Sequence, residues 1–433
     1  MLHSSQYNYF LPYEGDKIIV FNGLTKQFFV ISESNSHMLK EVIAEPEEYI
    51  NRNDFSILME KLINGGFICD DTVSEKELIA RQYFEYVDKD SYLLIILTTY
   101  NCNFNCWYCT QSHKEEYLTD DVADRIKKHI SRYLVENNIK NFVLSWFGGE
   151  PTLRDDKIID ISLFAKEFCM QHGVEFSNGI TTNGSLLSDK MIENFLLCDL
   201  NRYQITIDGT REMHNKVRYN DTITDSFKVI CNNITKIIDL GSDVEITLRY
   251  NYTSKNLSLD IIDDLNALLP IEYRTKIEFM PRKVWQEKEE KIDERKLRML
   301  YEKAIKSGYI VNLANDMVNN ICYAEKKHFN TIFQNGEVDK CSNLNIGQRR
   351  GRLDDNGNIM WEGDLSEYNS QRLPYPEECL ECRHLPVCMG LCPVRRRLDI
   401  ENAAPFKCLF EDPDRSISVN IRNYACEILT QNM

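Results

Sequence analysis

The spacing of cysteine residues constrains this chain more than any other feature of its sequence. Three of the 15 cysteines lie at Cys102, Cys106 and Cys109, and seven more fall between residues 322 and 408. Residues 1–6 have neither the basic nor the apolar segment of a signal peptide, so we expect a cytoplasmic protein with reduced thiols. Dense groups of reduced cysteines are typical of metal sites, and both groups therefore predict metal binding.

The other five cysteines are scattered along the chain. Cys169, Cys198 and Cys231 each lie among apolar residues in a helical context, where cysteine is usually a small core residue. We therefore predict that these three are buried and bind no metal. Cys69 and Cys426 are also isolated, and we assign them no ligand role.

Composition narrows the class of protein further. The chain has 433 residues, 43% hydrophobic and 27% charged, which is an ordinary globular balance and enough for two or three domains. Its 67 acidic residues exceed its 51 basic ones, giving a net charge of −16, and this argues against a general nucleic-acid binder. No apolar run approaches the roughly 20 residues of a membrane-spanning helix.

The first 90 residues predict a small winged-helix-like module. Residues 17–20 and 27–31 flank Asn22-Gly23 in the manner of a β-hairpin. Two short helices are expected next, the second capped by Asp54, followed by a strand at residues 67–69.

Strands and helices then alternate over residues 91–284. Six strands in this region predict a parallel sheet curled into a partial (β/α)6 barrel, an α/β fold with its functional residues at the carboxyl ends of the strands. The predicted strands are residues 93–97, 142–146, 179–180, 204–207, 244–248 and 277–279. The predicted helices between them include one capped by Thr119 and others at 156–172 and 224–239.

The remainder of the chain divides at residue 312. We expect a charged bridging helix within residues 285–312, spanning about 285–307. Residues 313–433 predict a cysteine-rich domain that ends in a helix from about residue 413.

The first cysteine group forms the pattern CxxxCxxC directly after the first barrel strand. Zinc would want a fourth protein ligand close by, whereas a cubane iron-sulfur cluster held by three cysteines leaves one iron free. A chance triplet or a zinc site remains the alternative. After the second strand stands Gly148-Gly149-Glu150-Pro151.

These two motifs resemble the signatures of the radical S-adenosylmethionine (SAM) superfamily. The resemblance implies that Cys102, Cys106 and Cys109 hold a 4Fe-4S cluster. It also implies that the GGEP motif binds the methionine amine of SAM, with Glu150 as anionic partner. The cofactor would chelate the free iron and, on reduction, release a 5′-deoxyadenosyl radical that abstracts a substrate hydrogen.

The same resemblance implies that further residues at successive strand ends face SAM. His214 and Arg218 complete the pattern DGxxxxHxxxR, although a lone Asn-Gly or Asp-Gly pair is more often a simple turn. Trp107 and Tyr108 either cover the cluster or adenine, or form core beneath the barrel lid. Besides the GGEP residues, the predicted SAM contacts are Tyr108, Asn183, Thr206, Asp208, Arg218 and Arg249.

The seven late cysteines, with Gly336 between the first two, resemble the SPASM extension of radical SAM enzymes; a zinc ribbon is the alternative. The resemblance implies two auxiliary 4Fe-4S clusters, three in all. It assigns one cluster to Cys379, Cys382, Cys388 and Cys408, and the other to Cys322, Cys341 and Cys392. Seven ligands for two cubanes leave one iron to His328, another cysteine or a substrate thiolate.

Enzymes with this extension modify peptides or proteins, and the module at residues 1–90 is similar in pattern to a leader-recognition element. Such an element captures an extended leader as an added strand, though a structural cap is the alternative. We therefore predict a maturase that forms a thioether in a ribosomally made precursor peptide. A flavodoxin- or ferredoxin-like protein is expected to supply electrons to the enzyme. Other peptide modifications, a sulfatase-type formylglycine maturase and a non-catalytic cluster protein remain the alternatives.

Overall fold

The computed structural model describes residues 1–72, 74–287, 292–312, 321–343, 350–362, 373–390, 392–396, 407–408 and 410–431. The chain divides into two compact units. One unit comprises Met1–Asp88, Leu313–Lys327 and Leu365–Met433, and the other Lys89–Asn312 and His328–Asp364. The first unit therefore contains both ends of the chain.

The amino-terminal part of the first unit contains two small antiparallel sheets. Strands β1 (Leu2–Ser4) and β5 (Ile68–Asp70) pair with each other, and a second sheet has the order β2-β3-β4. The strands of that sheet are β2 (Asn8–Pro12), β3 (Lys17–Asn22) and β4 (Phe28–Ser32). The predicted hairpin, now β3 and β4, is confirmed, while β1 and β2 were not predicted.

Four helices accompany these strands. They are α1 (Glu33–Ala44), α2 (Pro46–Tyr49), α3 (Ser56–Asn64) and α4 (Glu75–Val87). The prediction that Asp54 caps a helix is wrong, because Asp54 lies inside a 3-10 turn, Asn53–Phe55, and α3 begins at Ser56 without a side-chain cap. The Asp54 carboxylate instead accepts hydrogen bonds from Arg52.

The second unit is built on six parallel strands, and all six were predicted. They are β6 (Ser91–Leu97), β7 (Asn141–Phe147), β8 (Glu175–Thr182), β9 (Leu200–Ile207), β10 (Glu245–Tyr252) and β11 (Ile277–Lys283). They lie side by side in chain order, each parallel to the next. This confirms the predicted partial barrel and places every strand's carboxyl end at the same edge of the sheet.

Helices fill the connections between the strands. They are α5 (Asp120–Glu136), α6 (Asp155–His172), α7 (Asp189–Leu197), α8 (Arg211–Val217), α9 (Ser226–Leu240), α10 (Asp260–Asn266), α11 (Ile271–Arg274) and α12 (Glu294–Lys306). Thr119 caps α5 as predicted, since its side chain accepts the Val122 N–H. The predicted start of the charged helix near residue 285 is wrong, because β11 continues to Lys283 and the Asp293 side chain caps α12.

Four short strands that the sequence did not reveal extend the barrel sheet beyond β6. They are β12 (Phe329–Ile332), β13 (Glu337–Asp339), β14 (Gly351–Leu353) and β15 (Ile359–Trp361). Strand β12 runs parallel to β6, and the other three continue the sheet antiparallel. Each has only three or four residues, too few for a hydrophobic alternation to stand out.

The carboxyl-terminal part of the first unit adds α13 (Glu377–Leu380), α14 (Leu385–Cys388) and α15 (Pro413–Gln431). These helices share a core with the amino-terminal sheet, in which Tyr9 and Phe21 pack with Val387, Ile417 and Ile421. Two segments predicted as separate domains, 1–90 and 313–433, thus contribute to one hydrophobic core.

The scattered cysteines behave as core residues. Cys169, Cys198 and Cys231 are buried as predicted, and Cys426 is buried as well. Cys69 is half-buried. Among the helices described, none has the length and apolar character needed to cross a lipid bilayer.

Candidate functional site

The first cysteine group occupies the loop between β6 and α5. Cys102 and Cys106 are half-buried and Cys109 is exposed. Backbone N–H groups point at two of the sulfurs: Phe104 N lies 3.4 Å from Cys102 Sγ, and Gln111 N lies 3.4 Å from Cys109 Sγ. Such N–H donors stabilise sulfur in its thiolate form, the form that binds metal.

The three thiols need a positive partner to ionise. Burial raises the pKa of Cys102 to about 12 and that of Cys106 to about 11, and it also raises the pKa of Cys109. The Arg218 guanidinium opposes this shift and favours a lower pKa for all three thiols. Iron would supply the missing positive charge, so this donor set fits a cluster.

The arrangement does not fit a single metal ion. In the described part of the chain, no three His, Cys, Asp or Glu side chains are placed to hold one ion. A cubane differs because its cysteines bind different irons and therefore stand further apart than the ligands of one ion.

The two glycines of the GGEP motif bring the loop after β7 against the loop after β6. Gly148 has φ = 142°, and a Cβ on it would lie 2.5 Å from the Thr99 carbonyl oxygen. A Cβ on Gly149 would overlap the Asn101 carbonyl oxygen. The close approach allows Gly149 N to donate to Thr99 O (2.9 Å) and Glu150 N to Asn101 O (2.8 Å). The glycines thus hold the GGEP loop beside the cysteine loop.

Glu150 joins the ends of two strands. It is fully buried, and its Oε1 accepts hydrogen bonds from Thr152 N (3.1 Å), Thr152 Oγ1 (2.5 Å) and Thr182 Oγ1 (2.6 Å). Its Oε2 accepts from Asn183 N at 2.7 Å. Burial raises the pKa of Glu150, and these hydrogen bonds oppose that shift. Pro151 opens the following 3-10 turn, where a missing N–H costs nothing.

Asn183 continues this network to the cysteine loop. Its Nδ2 donates to Asn103 Oδ1 at 2.7 Å and lies 3.8 Å from Cys102 Sγ. Asn103 had not been singled out from the sequence, and its place between two cysteines was the available signal. The predicted SAM contacts Glu150 and Asn183 are therefore connected to the cluster loop by hydrogen bonds.

We expect Glu150→Gln to lower the free energy of unfolding by about 1–3 kcal/mol. An amide has one oxygen where the carboxylate has two, so its NH₂ must face a donor from Thr152, Thr182 or Asn183. Urea unfolding of the two proteins measures the loss. Glu116→Gln serves as control, because Glu116 is exposed and the change should stay within about 0.5 kcal/mol.

A second network holds the other side of the cysteine loop. Tyr108 Oη donates to Asp208 Oδ1 (2.5 Å) and accepts from Arg218 Nη2 (2.8 Å) and Asn251 Nδ2 (3.0 Å). Arg218 Nε also donates to Asp208 Oδ2 at 2.6 Å. Asp208 and Arg218 are both buried, so this is an ion pair shielded from water. Three predicted residues from distant parts of the sequence thus meet at one point.

The other strand-end residues support this network. Arg249 Nε donates to Asn251 Oδ1 at 2.9 Å, and Asn251, which had no assigned role, is the residue that hydrogen-bonds Tyr108. Thr206 pairs in register with Arg249. The buried ring of His214 accepts the Asp208 N–H at Nδ1 (3.1 Å), and burial lowers its pKa to about 3. His214 is therefore neutral and holds the Asp208 backbone.

A cavity of 480 Å³ lies beside the second network, a size suited to a small-molecule ligand. It is lined by Trp107, Tyr108, Asp208 and Asn251, among others, and Gln286 borders it while donating to the Tyr108 carbonyl (2.6 Å). Trp107 is 60% exposed, so the alternative that it is core is wrong.

The late cysteines divide between the two units. Cys379 and Cys388 have pKa values raised by burial, to about 11 for Cys388, and both are raised further by Cys382 and Cys408. These four thiols therefore lie near one another in the first unit. Cys322 and Cys392 belong to that unit and Cys341 to the other, so their shared cluster stays a prediction.

His328, one suggested ligand for the second auxiliary cluster, lies in the second unit. Its ring is buried, and Nδ1 lies 3.1 Å from Tyr133 Oη. The two rings meet edge to face at 5.9 Å.

Comparison with protein families identifies part of the second unit. Residues 96–255, which carry the cysteine loop, the GGEP loop and both networks up to Asn251, match the family described as the radical SAM superfamily. The chain contains a radical SAM domain. This confirms the resemblance inferred from the motifs, and a domain of this family implies SAM and one 4Fe-4S cluster.

Curated relatives match about two fifths of the chain. The serine-type anaerobic sulfatase-maturating enzyme of Bacteroides thetaiotaomicron is 25% identical over 40% of this chain and 39% of its own length. A probable GTP 3′,8-cyclase of Saccharolobus solfataricus is 30% identical over 38% of this chain and 48% of its own. The chain thus spans less than half the length of either relative.

Solved structures share the fold over a larger part of the chain. Native anSMEcpe with bound AdoMet is 17% identical with a TM-score of 0.55, covering 78% of this chain and 99% of its own. Streptococcus suis SuiB bound to precursor peptide SuiA is 18% identical with a TM-score of 0.52, covering 95% of this chain and 99% of its own. At these identities the likeness concerns the fold.

Proposed function

We propose that this chain is a radical SAM maturase that modifies a ribosomally made precursor peptide, forming a thioether between a cysteine sulfur and a carbon. The observation that carries the proposal is the 95% coverage by SuiB, a protein whose structure holds its precursor peptide. That likeness extends over the amino-terminal module, whereas the likeness to anSMEcpe covers 78% of the chain. Residues 1–90 would bind the leader of the precursor.

The chain's own residues would hold and order the reacting groups. Cys102, Cys106 and Cys109 would hold the cluster, while Glu150 and Asn183 secure its loop on one side and Tyr108, Asp208 and Arg218 on the other. When bound, the cluster and SAM supply a 5′-deoxyadenosyl radical. The cavity beside Tyr108 and Asp208 offers room for the nucleoside.

The late cysteines would hold two auxiliary clusters. The electrostatic coupling of Cys379 and Cys388 with Cys382 and Cys408 supports one of them. The second would use Cys322, Cys341 and Cys392, leaving one iron for another ligand such as a substrate thiolate. A flavodoxin- or ferredoxin-like protein would supply the electrons.

Mass spectrometry of a peptide encoded beside this chain tests the proposal. With anaerobically reconstituted enzyme, reductant and SAM, we expect the peptide to lose two hydrogens per link, and iodoacetamide to alkylate one cysteine fewer. The reconstituted protein should hold about twelve irons, as three cubanes require. A mass loss with every cysteine still alkylated would contradict a thioether.

A sulfatase-type maturase is the second candidate, favoured by the match to the Bacteroides enzyme. It predicts conversion of a serine or cysteine to formylglycine in a test peptide. Formylglycine formation, with no change in the co-encoded peptide, would contradict the first proposal in favour of the second.

A further inference from the structure

Lys26 directs a cation toward the loop of late cysteines. It lies in the turn between β3 and β4, and its Nζ donates to Gly23 O (2.6 Å) and Pro386 O (2.5 Å). Pro386 belongs to α14, the helix that ends at Cys388. Lys26 also has φ = 61°, a left-handed conformation that a residue with a side chain adopts only when its surroundings demand it.

The ammonium of Lys26 has neutral partners. Within the described ranges it forms no ion pair with a carboxylate, and both of its hydrogen bonds go to carbonyl oxygens. Burial accordingly lowers the pKa of Lys26 to about 7, and the Cys388 thiol is the group that opposes this shift. A buried cation without an anion is costly. Negative charge on the nearby late cysteines would therefore stabilise the Lys26 ammonium.

The other cations that the structure describes around this loop, Arg396, His384 and Arg383, are neutralised or exposed to solvent. Arg396 forms a buried ion pair with Glu325. His384 Nε2 lies 3.1 Å from Asp414 Oδ1. Arg383 is exposed, where water screens its charge. Lys26 differs from each of these three residues because its ammonium is buried and has no anionic partner within the described ranges.

The amino-terminal sheet holds the same loop at further points. Tyr9 Oη donates to Arg383 O at 3.0 Å and lies 3.0 Å from His384 Nδ1. Arg383 Nη2 donates to Asn8 O at 3.1 Å. The loop is thus fixed relative to Lys26, and the distance between charge and cluster is built into the fold.

We infer that Lys26 is the counter-charge of the auxiliary cluster on Cys379, Cys382, Cys388 and Cys408, and that it raises the reduction potential of this cluster. The inference rests on the proposed function only in requiring that cluster. Four thiolates give a cubane a net negative charge, which grows by one on reduction, so a nearby fixed cation favours the reduced form. The amino-terminal module would then tune the cluster electronically.

EPR-monitored redox titration of the reconstituted full chain tests this inference. In Lys26→Gln, which keeps a hydrogen-bond donor but loses the charge, the ratio of reduced to oxidised auxiliary cluster at a given potential should fall about tenfold, a shift of about 59 mV. Lys26→Arg should titrate like the wild type. Lys17→Met, an exposed lysine of β3, serves as the control and should show no shift.

Iron content, measured first, separates the possible failures. A wild-type protein with only about four irons lacks auxiliary clusters and overturns both the inference and the three-cluster proposal. Full iron with identical titrations of Lys26→Gln and Lys26→Arg overturns the inference alone. If Lys26→Gln fails to hold iron, the redox titrations of Lys26→Met and Lys26→Arg are compared instead. Loss of iron in Lys26→Arg as well would show that Lys26 has a structural role and would overturn the inference.

Discussion

Replacing Asp208 by asparagine is expected to lower the free energy of unfolding by about 3–5 kcal/mol. The Asp208 carboxylate is only 1% exposed and is paired with the buried Arg218, so the substitution leaves a guanidinium charge in the interior without an anion. It also exchanges an acceptor of the Tyr108 hydroxyl for an amide. Urea unfolding of the cluster-free chain measures the effect without interference from iron.

The ion pair Arg211–Asp225 provides a matched control, since Arg211 lies within the same motif. Arg211 is 47% exposed, and Arg211→Gln removes an ion pair that water already screens, so its cost should stay below about 1 kcal/mol. Equal destabilisation by the two substitutions would show that the buried Asp208–Arg218 pair stabilises the fold no more than an exposed ion pair.

Gly149→Ala is expected to cost about 3 kcal/mol or more and to abolish SAM binding. Its methyl group would overlap the Asn101 carbonyl and lie 2.6 Å from the Tyr100 carbonyl, both backbone atoms that cannot rotate away. The loops after β6 and β7 must separate, which breaks the Glu150 N–H bond to Asn101 O. Unfolding and calorimetric SAM titration of the reconstituted protein measure both effects.

Gly173→Ala separates steric overlap from backbone strain. Gly173 has φ = 66° at the end of α6, but a Cβ there would meet nothing within 4 Å. Its cost should be the left-handed conformation alone, about 1–2 kcal/mol, with SAM binding unchanged. If Gly149→Ala bound SAM like the wild type, the close contact of the two loops would not matter for the site.

The barrel could be predicted because its signals are local. Strands such as β6 are short apolar runs, and α5 carries its own cap at Thr119 and an apolar stripe along one face. The pairing of β12 with β6 could not be predicted, since Phe329 and Leu93 lie far apart in sequence and β12 has only four residues. The shared core of Tyr9 and Val387 is non-local in the same way.

The site was predictable in its residue types and less so in their contacts. The motifs singled out Tyr108, Asp208 and Arg218, but their convergence depends on side-chain reach between a loop, a strand end and a helix end. Asn251 was passed over in favour of Arg249, because residues two apart in a strand share a face and the sequence does not indicate which of the two hydrogen-bonds Tyr108. The GGEP motif was expected to bind SAM, whereas the close approach observed for its glycines is to the Thr99–Asn101 backbone.

The two networks suggest why so many polar residues surround one loop. Glu150 and Asn183 fix it from the side of β7 and β8, and the Tyr108 network fixes it from the side of β9 and β10. A loop held on both sides presents its sulfurs in a fixed arrangement before iron binds, which lowers the ordering cost of assembling a site.

The most direct test of the central claim is quantification of 5′-deoxyadenosine by mass spectrometry after anaerobic incubation of the reconstituted protein with SAM and dithionite. We expect the wild type to produce it, faster when the co-encoded peptide is present, and Cys106→Ala to produce none while retaining about eight irons. A wild-type protein with full iron that forms no 5′-deoxyadenosine, with or without the peptide, would contradict the claim that this chain performs radical SAM chemistry.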